Sequence, residues 1–125
     1  MQCVRNLDYN LKLTNDDVGR IDHACDYILK NFRSEITLEE ISDACYMNGS
    51  SFCRYFKRKT GKTFTFFVNE VRLEHACKLL LANSDFNISE VAFTSGYNST
   101  SYFNKVFKEM KGCTPQTYIK NFLPK

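Results

Sequence analysis

The chain repeats itself. Shifting the 125-residue sequence by 51 aligns residues 50–63 with 101–114, and six of these fourteen pairs are identical. They are Ser50/Ser101, Phe52/Phe103, Phe56/Phe107, Lys57/Lys108, Gly61/Gly112 and Thr63/Thr114, with Arg54/Lys105 keeping the charge. Average residue frequencies of a few per cent would give about one match. Upstream, a shift of 50 pairs Glu40/Glu90, Ile41/Val91 and Asn48/Asn98, so the second copy has one extra residue between its helices. Two copies are too few for a solenoid. They point to a duplicated helix–turn–helix unit.

The patterns around the repeat are helical. Ile21, Ala24, Cys25, Ile28, Leu29 and Phe32 recur at the spacing of an amphipathic helix. Asp16 or Asp17 is the expected cap, and residues 1–18 read as a linker or arm. Thr37 and Glu40 form the ends of a capping box that opens a short helix to about Cys45. Asn48 caps the next helix, which turns Phe52, Tyr55 and Phe56 inward and stops at Gly61. A long helix follows from Thr63 to about Asn83. Asn87 and Glu90 form a second capping box. Asn98 or Ser99 starts a helix with Phe103, Val106, Phe107 and Met110 inward, closed by Gly112. Thr114-Pro115 opens the last helix, with Tyr118, Ile119 and Phe122. The expectation is an all-α fold of seven helices without a strand. It divides into a first subdomain at 19–62, a linker helix at 63–83 and a second subdomain at 84–125.

Charge is unevenly placed. Residues 1–50 carry 5 Lys/Arg against 9 Asp/Glu, a balance of −4, and residues 51–125 carry 12 against 5, a balance of +7. Five basic residues and no acidic one lie between Arg54 and Lys62. Such a patch suits a polyanion.

The second helix of each repeat carries the chemistry. With the phenylalanines inward, Ser50, Cys53, Arg54 and Lys57 share the outer stripe, with Arg58 beside them. The matching stripe holds Ser101, Asn104, Lys105 and Lys108, with Thr100 beside it. A helix–turn–helix places its second helix in the DNA major groove. Arg reads guanine O6 and N7 with two hydrogen bonds, and Asn reads adenine. Lys57 and Lys108 lie one turn further on, better placed for phosphates, which set register rather than sequence.

Other chemistries fit poorly. The six cysteines form no C-x-x-C half-site, so zinc is not expected, and most sit beside apolar residues as small hydrophobes. His23 and His75 have no nucleophile at a suitable spacing. There is no phosphate-binding glycine loop and no H-E-x-x-H motif, so neither an enzyme nor a cofactor is expected. No apolar run reaches the ~20 residues of a membrane-spanning helix, and the first ten residues lack a signal-peptide core. The expected setting is the cytoplasm, on the nucleoid. The alternative reading is a helical protein-interaction module with a basic face.

The run SFCRYFKRKTGK at 51–62, then Arg72-Leu73, Ala76 and Leu79-Leu80, then residues 88–118 beginning ISEVAF and ending CTPQTY carry a family likeness. From Ile41 to Tyr118 the chain closely resembles the DNA-binding domain of the AraC/XylS transcription regulators. The resemblance implies two helix-turn-helix subdomains joined by a linker helix. Their recognition helices, about 49–60 and 99–111, would enter adjacent major grooves of promoter DNA. It also implies a bacterial regulator, usually an activator, working with RNA polymerase. A separate N-terminal sensing or dimerisation domain is expected, which residues 1–18 do not hold; the linker-like start favours an excised domain. Three positions depart from the family pattern. Ser42 replaces the usual Ala, Lys105 the usual Arg, and Tyr46 the usual Gly of the first turn. That turn must therefore avoid positive φ or strain Tyr46.

Overall fold

A computed structural model describes residues 15–82 and 87–122. Among these residues there are seven helices and no strand: α1 (Asn15–Asn31), α2 (Leu38–Ala44), α3 (Gly49–Thr60), α4 (Phe64–Ala82), α5 (Ile88–Thr94), α6 (Thr100–Lys111) and α7 (Pro115–Phe122). The expected arm at residues 1–14, Cys3 and the expected helix end at Asn83 lie outside the described residues. One boundary is corrected. Helix α1 begins at Asn15, so residues 15–18 are its first turn and Asp16 and Asp17 lie inside it rather than before it. Asn15, Asp16 and Asp17 offer no apolar side chain, so periodicity has nothing to register there.

The chain divides into two compact units between Val68 and Asn69, within α4. The sequence-based division placed its boundaries at the two ends of this helix. Its first turns, through Phe67 and Val68, belong to the first unit, and Leu73, Ala76, Cys77 and Leu80 join the core of the second.

In the first unit, α1 packs on α2 and α2 on α3. Ile21, Ala24, Cys25, Ile28, Ile41, Cys45, Phe52 and Phe56 are buried. The Phe56 ring meets Phe67 edge-on at 5.4 Å between centroids. In the second unit, α5 packs on α6 and α6 on α7. Leu73, Ala76, Leu80, Val91, Tyr97, Phe103 and Phe107 make its core. Phe107 meets Tyr118 edge-on at 5.5 Å, the same contact in the same place. The two ring pairs show that α7 takes, in the second unit, the place the start of α4 takes in the first.

The caps explain why the chain breaks where it does. The Thr37 hydroxyl accepts from the Glu40 N–H while the Glu40 carboxylate accepts from the Thr37 N–H, and Asn87 and Glu90 repeat the arrangement. The Asn48 side chain accepts from Ser51 N–H, and the Ser99 hydroxyl from Tyr102 N–H. Ser99, not Asn98, is thus the counterpart of Asn48, and Asn98 is the extra residue. Gly61 and Gly112 close α3 and α6 with φ of 78° and 83°, a conformation that side chains disfavour. The Thr63 and Thr114 hydroxyls cap α4 and α7 by accepting from Phe66 and Thr117 N–H.

Candidate nucleic-acid interface

Helices α3 and α6 are each twelve residues long, about 18 Å, and each is capped at both ends. Three turns buried on one side leave the other side to solvent. Phe52, Tyr55 and Phe56 seat α3, while Phe103, Val106 and Phe107 seat α6. Residues 50, 53, 54 and 57 fall on one face by helical spacing, as do 101, 104, 105 and 108.

The structure keeps both expected stripes at the surface. Ser50, Cys53, Arg54, Lys57 and Arg58 are exposed, as are Ser101, Asn104, Lys105 and Lys108. Within each unit the stripe is brought together on a single helix. Thr100 differs from the rest: it is half-buried, and its hydroxyl lies 3.1 Å from that of Ser89 on α5. The Arg58 guanidinium stands over the Tyr55 ring at 5.9 Å from its centroid, which limits its freedom without hiding its charge. No acidic residue lies in the first turn of either helix, and the last turns hold Lys57, Arg58 and Lys59 in α3 and Lys108 and Lys111 in α6. Cations at that end complement the helix dipole.

The turns that aim these helices share one hydrogen-bond pattern. Tyr46 N–H donates to Asp43 and Met47 N–H to Ser42, at 3.0 and 2.9 Å. Gly96 N–H donates to Phe93 and Tyr97 N–H to Ala92, at 3.1 and 3.0 Å. This is the closing motif of a helix that ends on a left-handed residue. The Ser42 hydroxyl, in place of the buried methyl of Ala92, is satisfied by the Glu39 carbonyl at 3.1 Å. The C-cap residue of each short helix is also tied inward. The Cys45 thiol donates to the Arg20 carbonyl at 3.7 Å, and the Ser95 hydroxyl lies 3.2 Å from His75 Nδ1.

Two exposed residues lie near the stripes without being among the expected site residues. Ser89 lies beside Thr100, its hydroxyl 3.1 Å away, and no local sequence pattern marks it out. Tyr46 is 86% exposed, next to the seat of α3. Among the described residues no three His, Cys, Asp or Glu side chains gather as a metal site. No helix there is long and apolar enough to cross a membrane.

Known proteins share the family and the fold. A family profile described as a helix-turn-helix domain matches residues 41–121. The chain is 37% identical over 101 residues to YdeC, an uncharacterised helix-turn-helix transcriptional regulator of Bacillus subtilis; the match spans 81% of this chain and 34% of YdeC. The C-terminal domain of AraT, a response regulator from Geobacillus stearothermophilus, superposes with a TM-score of 0.79 at 27% identity, over 91% of each chain. A probable AraC family transcriptional regulator from Rhodopseudomonas palustris shares the fold at 23% identity, with a TM-score of 0.74 over 85% of this chain and 99% of that one.

Proposed function

The chain belongs to the AraC-type helix-turn-helix family of bacterial transcription regulators, and from that premise we propose that it reads double-stranded promoter DNA through α3 and α6. The observation that carries this reading is the recurrence of one exposed polar and cationic stripe on the second helix of both units. Arg54/Lys105 and Lys57/Lys108 keep their charge in both copies, while the neighbouring pair Arg58/Glu109 does not.

Each side chain then has a part. Arg54 has the fork that fits guanine O6 and N7, and Asn104 has the donor and acceptor that fit adenine. Lys105 is a point charge without that fork, so it contributes attraction more than discrimination. Lys57, Arg58 and Lys108 contact phosphates and set register. Ser50, Cys53, Thr100 and Ser101 are short enough to let the helix backbones approach the base edges. Helix α4 spans about 28 Å over its nineteen residues, close to the ~34 Å between successive major grooves on one face of the duplex. We therefore assign α3 and α6 to adjacent grooves. The chain spans about a third of YdeC, so sensing of a signal and contact with RNA polymerase as an activator are assigned to the longer regulator.

Selection from a randomised duplex pool tests the reading. The protein should enrich a defined sequence, and its affinity should fall steeply with salt as counterions are released. Equal retention of every duplex, with comparable binding to an acidic polypeptide, would contradict it.

A further inference from the structure

We propose that the buried hydrogen bond between the Tyr97 hydroxyl and the Asn69 side chain fixes the seat of α6, making these two positioning residues for base discrimination by the second unit. The proposal rests on the assignment of α6 as a DNA-reading helix.

Tyr97 is 2% exposed and Asn69 is 8% exposed. The Tyr97 hydroxyl donates to Asn69 Oδ1 at 2.7 Å. The backbone N–H of Tyr97 holds the Ala92 carbonyl of α5. Its ring lies 5.3 Å from that of Phe103 and 5.9 Å from that of Tyr102, both on α6. The Arg72 guanidinium covers the ring at 5.5 Å. One residue therefore joins α4, the end of α5 and the first turn of α6, two residues before the Ser99 cap. Burial raises the phenol above its ordinary range, so the hydroxyl keeps its proton and goes on donating into alkali.

Among the described residues, the first unit carries no hydroxyl at the equivalent place. Met47 stands in the equivalent place, its N–H on the Ser42 carbonyl at 2.9 Å. A thioether donates no hydrogen bond, and its three rotatable bonds adapt to whatever surrounds it. The Met47 side chain therefore offers the seat of α3 packing but no donated hydrogen bond. The consequence concerns readout. Two simultaneous hydrogen bonds to a base weaken steeply with misalignment. A helix whose root is pinned at a phenol oxygen keeps that alignment better than one resting on a flexible side chain.

Tyr97→Phe removes the hydroxyl and keeps the ring. The probe is the duplex that the parent protein selects from a randomised pool, with base changes introduced in each contacted segment. The α6 segment is the one whose preference Asn104→Ala erases. Tyr97→Phe should lower discrimination in that segment roughly three- to tenfold, the range expected for one net hydrogen bond. Discrimination in the α3 segment and the salt dependence should stay as in the parent. Asn69→Ala should give the same loss, and Tyr97→Phe added to Asn69→Ala should give no more. Unchanged discrimination, or an equal loss in both segments, would overturn the positioning role. A parent protein that selects no sequence would overturn the DNA-reading assignment first, and the positioning role with it.

Discussion

Tyr46 and Gly96 hold the same place in the two turns, and both have positive φ, 59° and 105°. Glycine adopts this conformation freely, whereas a side chain pays roughly 1–2 kcal/mol for it. The first turn thus keeps the geometry of the second and strains Tyr46, rather than avoiding positive φ.

Tyr46→Gly should therefore stabilise the protein. Tyr46 is 86% exposed, so little packing is lost. The relief, less the added entropy of an unfolded glycine, leaves a gain of about 0.5–1 kcal/mol. Urea unfolding measures it. A lower midpoint for Tyr46→Gly would show that the ring contributes more than the strain costs.

Truncation of either repeated phenylalanine should cost much more. Phe56 and Phe107 are fully buried, and each faces one ring edge-on, that of Phe67 or Tyr118. Phe56→Ala and Phe107→Ala should each lose on the order of 3–5 kcal/mol. A variant that melts within a degree of the parent would place that ring outside the core.

These two cases mark how far the sequence is legible. Apolar spacing and caps locate the helices because both are local: Thr37 with Glu40, Asn87 with Glu90, and Gly61 and Gly112 are signals within one turn. The outer stripes follow once Phe52 and Phe103 are set inward. The repeat is longer than the 51-residue shift shows. His23-Ala24-Cys25 recurs as His75-Ala76-Cys77 under a shift of 52, and the alanines and cysteines are buried in both. Small changes in shift between segments hide this from a single alignment. The bond between Asn69 and Tyr97 joins residues 28 apart, and no local pattern announces it. Likewise, the sign of φ at Tyr46 is set by the surrounding turn and not by the residue itself.

Base and phosphate contacts should separate by mutation. Arg54→Ala should cost roughly 1–3 kcal/mol of specific binding and relax preference at one base position. Lys57→Ala and Lys108→Ala should weaken binding about equally on selected and random duplexes, each lowering the slope of log affinity against log salt by about 1. Filter binding at several salt concentrations distinguishes the two. An equal loss on all sequences for Arg54→Ala would make it a phosphate contact.

Stability should fall in alkali. Burial raises the Cys45 and Cys77 thiols from the ordinary 9.0. A hydrogen bond shared with Cys77, and then burial, push Tyr118 up to about 12 from 10.0. Each group gains charge by losing its proton, and the unfolded chain loses it first. Their contribution is complete below pH 9 and declines as the pH rises through 9 towards 12. The urea midpoint should drop above pH 9, and Tyr118→Phe should lessen the drop above pH 10, where the buried Tyr97 phenol also contributes. A midpoint that rises over this interval would contradict the assignment.

The central claim is that a single chain reads two groove segments through two different helices. Footprinting of the protein on its selected duplex, at a measured ratio of chains to duplex, tests this most directly. One bound chain should protect two segments about 10 base pairs apart, centre to centre. The two segments should differ in sequence, because Cys53 and Arg54 face one while Asn104 and Lys105 face the other. A single protected segment per chain, or two inverted copies of one sequence occupied by two chains, would contradict the account.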